Sequence, residues 1–189
     1  SARVVLELRP LPRGQEFAYE NRVAKEVVPT EMAAAVETAV RDALMGGALA
    51  GYPLVGVGVR FTDGTYVLNE SNEAAFYRAA AVAFQKGLLE AGPVILEPIM
   101  RVEVTAPEEN TGEVIGDLTA RRGEIHGMTP LPGGVQTIRG QVPLARMFGY
   151  ATDLRSATQG RGAFTMEFHH YAPVPEEVAM RILGGPLPA

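Results

Sequence analysis

The sequence predicts an α+β chain made of two successive domains, and three observations carry that reading. In the first half, strand-like alternation is interleaved with two helical stripes. From Pro98 onward the apolar pattern runs in the order βαββαβ, and a last short helical segment follows Pro173 and Pro175. The chain has 189 residues, 47% of them hydrophobic and 21% charged, which is ordinary for a folded protein and long enough for one large domain or two small ones.

Val4 to Leu8 alternates as a strand and is stopped by Pro10, Pro12 and Gly14. A short strand is expected over Phe17 to Asn21. Thr30 can cap a helix on which Met32, Val36, Ala39, Val40, Ala43 and Leu44 recur at helical spacing, until Gly46 and Gly47 end it. The stretch YPLVGVGVRF, residues 52–61, reads as a strand, with Gly56 and Gly58 where another backbone could approach. Asp63 and Gly64 read as a turn. Ser71 or Asn72 can cap a second helix that carries Phe76, Ala80, Phe84 and Leu88 on one stripe and stops at Gly92 and Pro93.

The second half predicts a strand over Met100 to Thr105, a helix over Pro107 to Arg122 and a strand over Glu124 to Met128. The loop TPLPGG comes next, then a strand over Val135 to Val142, a helix over Leu144 to Arg155, and a strand over Ala163 to His169. This is the order of a ferredoxin-like split motif, a four-stranded antiparallel sheet with both helices on one face. Val114, Ile115 and Leu118 form the stripe of its first helix, and Gly112 and Gly116 would let that helix sit close to the sheet. Leu144, Met147, Phe148, Ala151 and Leu154 form the stripe of its second. A final helix, Glu176 to Leu183, has no partner inside this unit and is expected to fold back on the first domain.

A net charge of −5 argues against a surface that coats nucleic acid over its whole extent but leaves room for a local basic patch. The seventeen basic residues are all arginine except Lys25 and Lys86. Without cysteine there is no disulfide, thiol catalysis or thiolate metal site. No phosphate-binding GxxxxGK[ST] or GxGxxG loop occurs, so no nucleotide cofactor is expected in this chain. His126, His169 and His170 lack metal-ligand spacing, the last two being expected on opposite faces of a strand. Glu108 and Glu109 suit the first turn of a helix better than an acid–base pair. No catalytic constellation is predicted. The lack of a membrane span and of a signal-peptide layout predicts a cytoplasmic protein, and the lack of an initiating Met predicts a piece of something longer.

Two arginine-bearing sites remain. Arg121 and Arg122 fall in a last helical turn, where they suit its negative dipole end, with Gly123 as the left-handed residue that follows. Arg155 and Arg161 bracket a small polar loop of Ser156, Thr158 and Gln159, a composition that grips phosphates and sugars. The two helices of a split motif run antiparallel, so their C-terminal ends should lie apart and make two contacts, or one contact and one cap, rather than one patch.

The stretch PVILEPIMRVEVTAPEENTGEVIGDLTARRGEIHGM, followed by VPLARMFGYATDLRSATQGRGAFTMEF, closely resembles the last domain of bacterial elongation factor G, a translocation GTPase family. PLPRG, GYPLVGVGVRFTDGTY and AFQKG resemble the preceding, fourth domain. The resemblance covers essentially the whole chain. It implies a fourth-domain-like unit over residues 1–97 with 174–189, having a ribosomal-protein-like βαβ fold with a left-handed crossover, and a fifth-domain-like unit over 98–173. It implies the ribosome as partner: ribosomal RNA of the large subunit near the second unit, and tRNA and mRNA at the decoding centre near the tip of the first. GTP and magnesium would belong to a GTPase domain upstream, beyond a glycine-rich GQYGH loop that the family carries just before the start of this chain. Arg155, Ser156 and Gln159 match a family loop close to ribosomal RNA, and Arg121, Arg122 and Arg161 join them as contact candidates. The tip corresponds to Tyr66, Val67, Leu68, Asn69 and Glu70. There the family usually has histidine where Val67 stands, which implies either altered translocation or a paralogue acting in recycling or rescue. Reading from the fold alone, the rival is a protein-interaction module on an unrelated ferredoxin-like scaffold.

Overall fold

The computed structural model describes residues 1–185. Of the 174–189 tail assigned above to the first domain, residues 186–189 lie outside the described residues. The chain divides into two compact units, Ser1–Val94 with the segment that begins at Glu176, and Ile95–Pro175.

The first unit contains β1 (Arg3–Pro10), β2 (Phe17–Asn21), α1 (Thr30–Gly46), β3 (Val57–Thr65) and α2 (Glu73–Ala91). Its sheet has the order β1-β3-β2, with β1 antiparallel and β2 parallel to β3. The stripe Phe76, Ala80, Phe84 and Leu88 is buried along its whole length, against Val36, Val40, Val59 and Phe61. Each such phenylalanine contributes about 2–3 kcal/mol by leaving water. Asn72 caps α2, its side chain accepting from the Ala75 N–H at 2.8 Å, whereas α1 starts after Pro29 with no side-chain cap.

Three further expectations for this unit are corrected. The strand begins at Val57, because Gly56 adopts φ +78° and breaks the extended run. It also continues through Asp63 and Gly64 instead of turning there. A register shift between Val5 and Leu6 accommodates the pair, Arg3 holds Asp63 at 2.6 Å, and a Cβ on Gly64 would stand 2.9 Å from Val28. At Gly58 the close neighbours are the Leu11 and Arg9 side chains, not a backbone.

The second unit contains β4 (Leu96–Pro107), α3 (Thr111–Ala120), β5 (Glu124–Leu131), β6 (Val135–Pro143), α4 (Tyr150–Thr158) and β7 (Ala163–Pro173). The sheet order is β5-β6-β4-β7 with all pairs antiparallel, the ferredoxin-like order. On β4, Met100, Val102, Val104 and Ala106 point into a core shared with Val114, Leu118, Ile138, Val142, Tyr150 and Leu154. The alternate residues Arg101 and Glu103 are exposed and pair with Glu167 and Arg139.

Both helices of this unit are shorter than the periodicity suggests. Pro107 ends β4, residues 108–110 form a 3₁₀ turn, and α3 starts at Thr111. Gly112 and Gly116 face open space and do not pack on the sheet. Leu144–Arg146 is a separate 3₁₀ turn, and Gly149 at φ +74° breaks the chain before α4 begins. That break puts Phe148 out in solvent and brings Tyr150 into the core, which the unbroken stripe did not anticipate. On β7, a register shift between Ile99 and Met100 leaves His169 without a strand partner. His169 and His170 therefore do not face opposite ways; their Nδ1 atoms are 2.7 Å apart. A last helix, α5 (Glu176–Leu183), belongs to the first unit and buries Ala179.

Tyr19 and Tyr150 bury hydroxyls that have no hydrogen-bond partner among the described residues. Burial pushes the Tyr19 hydroxyl up to about 12, Glu37 adding to the effect and Arg41 opposing it. Burial raises Tyr150 as well, with Asp117 adding and Arg121 opposing. A pKa raised on folding means that the folded chain holds the proton longer. The associated stability is complete below the unfolded value, about 10, and is lost as pH rises through the folded one. Thermal melts should therefore show a loss of stability between about pH 10 and pH 12. Tyr19→Phe should reduce that loss to the part due to Tyr150, at no cost at neutral pH, since it removes an orphan hydroxyl.

Candidate nucleic-acid interface

The two ends of the α3–α4 pair carry the six arginine-site candidates, and they are built differently. Asn110 at the start of α3 donates to the Ala157 carbonyl near the end of α4 at 3.0 Å, while Arg121 at the end of α3 reaches Asp153 in the first turn of α4. The helices are thus antiparallel, and Arg121 and Arg122 lie at the opposite end of the pair from Arg155, Ser156, Gln159 and Arg161.

At the first end the arginines face inward. The Arg121 side chain is only 12% exposed. It donates to Asp117 at 3.1 Å, to the Arg146 carbonyl at 2.6 Å, to the Phe148 carbonyl at 3.1 Å and to Asp153, and its guanidinium lies 5.1 Å from the centre of the Tyr150 ring. Arg122 forms a two-pronged pair with the buried Glu97 carboxylate at 2.8 and 2.9 Å. Glu97 holds that guanidinium still more firmly protonated. The expected left-handed residue is also displaced by one position: Arg122, at φ +58°, takes that conformation. The Arg122 N–H donates to the Thr119 carbonyl at 3.1 Å and the Gly123 N–H to the Leu118 carbonyl at 2.8 Å, the pair of bonds that closes a Schellman cap. Glycine is needed at 123 for space, since a Cβ there would stand 2.5 Å from the Leu118 oxygen and 3.0 Å from Val142. The guanidiniums of Arg121 and Arg122 are thus engaged within the fold, with Arg122 Nε left without a partner among the described residues.

At the other end, α4 runs on to Thr158, so Arg155 and Ser156 sit on helix and not in a loop. Thr158 is fully buried, donating to the Leu154 carbonyl at 2.7 Å and accepting from the Gly162 N–H at 2.8 Å. Gln159 closes the helix at φ +51°. Arg161 binds the Thr158 carbonyl, the Gln159 side chain and Glu109, and with Glu108, Glu109, Gly133 and Gly134 it lines a shallow cleft. Arg155 and Ser156 are exposed, and Arg155 has no ion-pair partner among the described residues.

The tip candidates form a tight loop between β3 and α2. The N–H groups of Glu70 and Ser71 donate to the Val67 carbonyl at 3.1 and 2.9 Å, and Asn69 takes φ +65°. The Ser71 hydroxyl accepts from the Val67 N–H at 2.9 Å and donates to the Ser1 carbonyl at 2.6 Å. The Ser1 nitrogen donates to the Glu70 carbonyl at 2.7 Å. Tyr66 packs on the core, whereas Leu68 is 71% exposed and Val67 lies at the surface beside it. The loop thus presents two aliphatic side chains on a fixed backbone.

Among the described residues there is no group of acidic or histidine side chains that could hold a metal ion, and no helix long and apolar enough to cross a membrane. A family model described as elongation factor G, domain IV, matches residues 1–105, and one described as elongation factor G C-terminus matches residues 94–182. The chain is also similar to a Thermus thermophilus protein of known crystal structure, with a TM-score of 0.80 and 41% identity over 95% of this chain. It spans only 27% of the length of that protein.

Proposed function

Since this chain belongs to the elongation factor G family and matches its domain IV and C-terminus, we propose that it is the ribosome-binding end of a GTPase that moves tRNA and mRNA through the ribosome. The observation that carries the proposal is the continuous match of both domain families across residues 1–182. In this reading the Tyr66–Glu70 loop enters the decoding centre and acts by occupying space, as a stiff wedge with no bond chemistry of its own. Arg155, Ser156 and Gln159 meet RNA of the large subunit, their exposure at the end of α4 being the supporting feature. GTP and magnesium are handled by a domain upstream, and the whole protein works in the cytoplasm.

A second reading rests on Val67. A valine at a loop apex offers no hydrogen bond to RNA, where the imidazole usual at this place in the family can donate or accept. That difference is the observation behind the second reading, a paralogue acting in ribosome recycling or rescue.

Chemical footprinting of ribosomal RNA with the chain bound at low salt tests both readings. Protection is expected at the large-subunit site and at the decoding centre, and protection at neither would overturn the ribosomal reading. A decoding-centre footprint that strengthens in Val67→His would favour the paralogue. Arg155→Ala should lower the slope of log affinity against log salt by about one, the signature of a lost phosphate contact.

A further inference from the structure

Phe148 is 84% exposed, more than any other large apolar side chain among the described residues, yet its neighbours Met147 and Tyr150 are buried at 8% and 1%. An exposed phenylalanine forgoes the stabilisation that burial would give it. Nothing in the fold uses the ring, but the fold fixes its backbone tightly. Gly149, at φ +74°, turns the chain so that the ring leaves the core. The Phe148 carbonyl accepts from Arg121, the Met147 N–H donates to the Leu144 carbonyl at 3.0 Å, and the Tyr150 N–H donates to the Met147 carbonyl at 3.2 Å.

Beside it, Arg146 is exposed and makes one anchoring bond, from Nη2 to the Ala120 carbonyl at 2.9 Å, with no carboxylate partner among the described residues. The two acidic side chains of this corner, Asp117 and Asp153, both turn to Arg121. The corner therefore offers an exposed flat apolar ring on a fixed backbone, two residues from a guanidinium that has no carboxylate partner among the described residues. Those are the two parts of a stacking platform for an unpaired base with a site for its phosphate.

We propose that Phe148 and Arg146 bind an unstacked nucleobase and its phosphate in ribosomal RNA, at a contact separate from the Arg155 end of α4. The proposal rests on the ribosome-binding reading above. An aliphatic pocket on a protein partner is the alternative occupant. It is disfavoured because Arg146, two residues away, is exposed and has no carboxylate partner among the described residues, which suits a phosphate better than an apolar pocket.

The test is sedimentation of the chain with purified ribosomes over a salt series, using Phe148→Leu, Phe148→Trp and Arg146→Gln. Base–aromatic stacking is worth a factor of about ten in affinity. Phe148→Leu is expected to bind about tenfold more weakly with an unchanged salt slope, and Phe148→Trp to stay within about twofold of the parent. Arg146→Gln should lower the slope by about one. Thermal melts of the two Phe148 variants should match the parent, because the ring is outside the core, whereas Arg146→Gln also removes the bond to the Ala120 carbonyl and is read by its salt slope alone. Binding by Phe148→Leu equal to the parent overturns the stacking contact while leaving the ribosomal reading intact. Equal weakening by leucine and tryptophan also overturns it and indicates a shape-matched protein pocket. If the parent chain itself does not bind ribosomes, the reading and this proposal fall together.

Discussion

Arg121→Ala is expected to destabilise the Ile95–Pro175 unit by about 3 kcal/mol. One guanidinium serves two carboxylates and two backbone carbonyls, and it joins the end of α3 to the 3₁₀ turn and first turn of α4. Removing it takes away the side-chain donor that the Arg146 and Phe148 carbonyls share. Asp117 and Asp153 are 37% and 58% exposed and regain water, so the loss stays below the upper end for a buried ion pair. Arg121→Lys should recover less than half, because a single ammonium cannot reproduce the planar fork. Denaturant unfolding of the three proteins measures this. If Arg121 were mainly an RNA contact, alanine would instead leave the melt unchanged and reduce ribosome affinity in the folded protein.

The second large effect is expected at Gly123. Alanine there must move either the Leu118 carbonyl, whose oxygen would lie 2.5 Å from the new Cβ, or the start of β5. The obstacle is backbone, so rotamer changes cannot relieve it. The shift would also open the bond from the Gly123 N–H to that same carbonyl. A cost of about 2–3 kcal/mol follows from overpacking together with a weakened helix cap. Arg122→Gly, by contrast, removes the left-handed strain but also the two-pronged bond to Glu97, and should be destabilising as well. A melt in which Gly123→Ala matches the parent would show that this helix end is free to relax.

Much of this was legible in the sequence for a physical reason: long periodic stripes declare which face is buried. The stripe from Phe76 to Leu88 and the alternation of β4 needed no tertiary information. The interruptions were harder to see. Leu144 to Leu154 has uninterrupted helical spacing, and only the backbone at Gly149 shows that it is a turn followed by a later helix. The same limit concealed the bulge at His169, since a one-residue register shift leaves no mark on composition. For the candidate site, the residue types suggested basic contacts at both helix ends. What separates the ends is where the acids lie. Asp153 and Glu97 absorb one pair of arginines together with Asp117, whereas Arg155 has no counterpart among the described residues; the Asp117 pair is local, but those with Asp153 and Glu97 span 32 and 25 residues and cannot be read from local spacing.

The second unit leaves and rejoins the first through adjacent strands: Leu96 pairs with Pro173, and the Val174 N–H donates to the Ile95 carbonyl at 3.0 Å. This has a consequence for the order of folding. Until Ile95–Pro175 is folded, bringing α5 home means closing a loop of roughly eighty residues. Once it is folded, the ends of that loop are already side by side. The entropy of closure grows as the logarithm of loop length, so prior folding of the inserted unit spares α5 about 3 kcal/mol of search. The inserted unit thus acts as a template that delivers the chain's last helix, and refolding kinetics followed by a probe on α5 should lag those of a probe on β4.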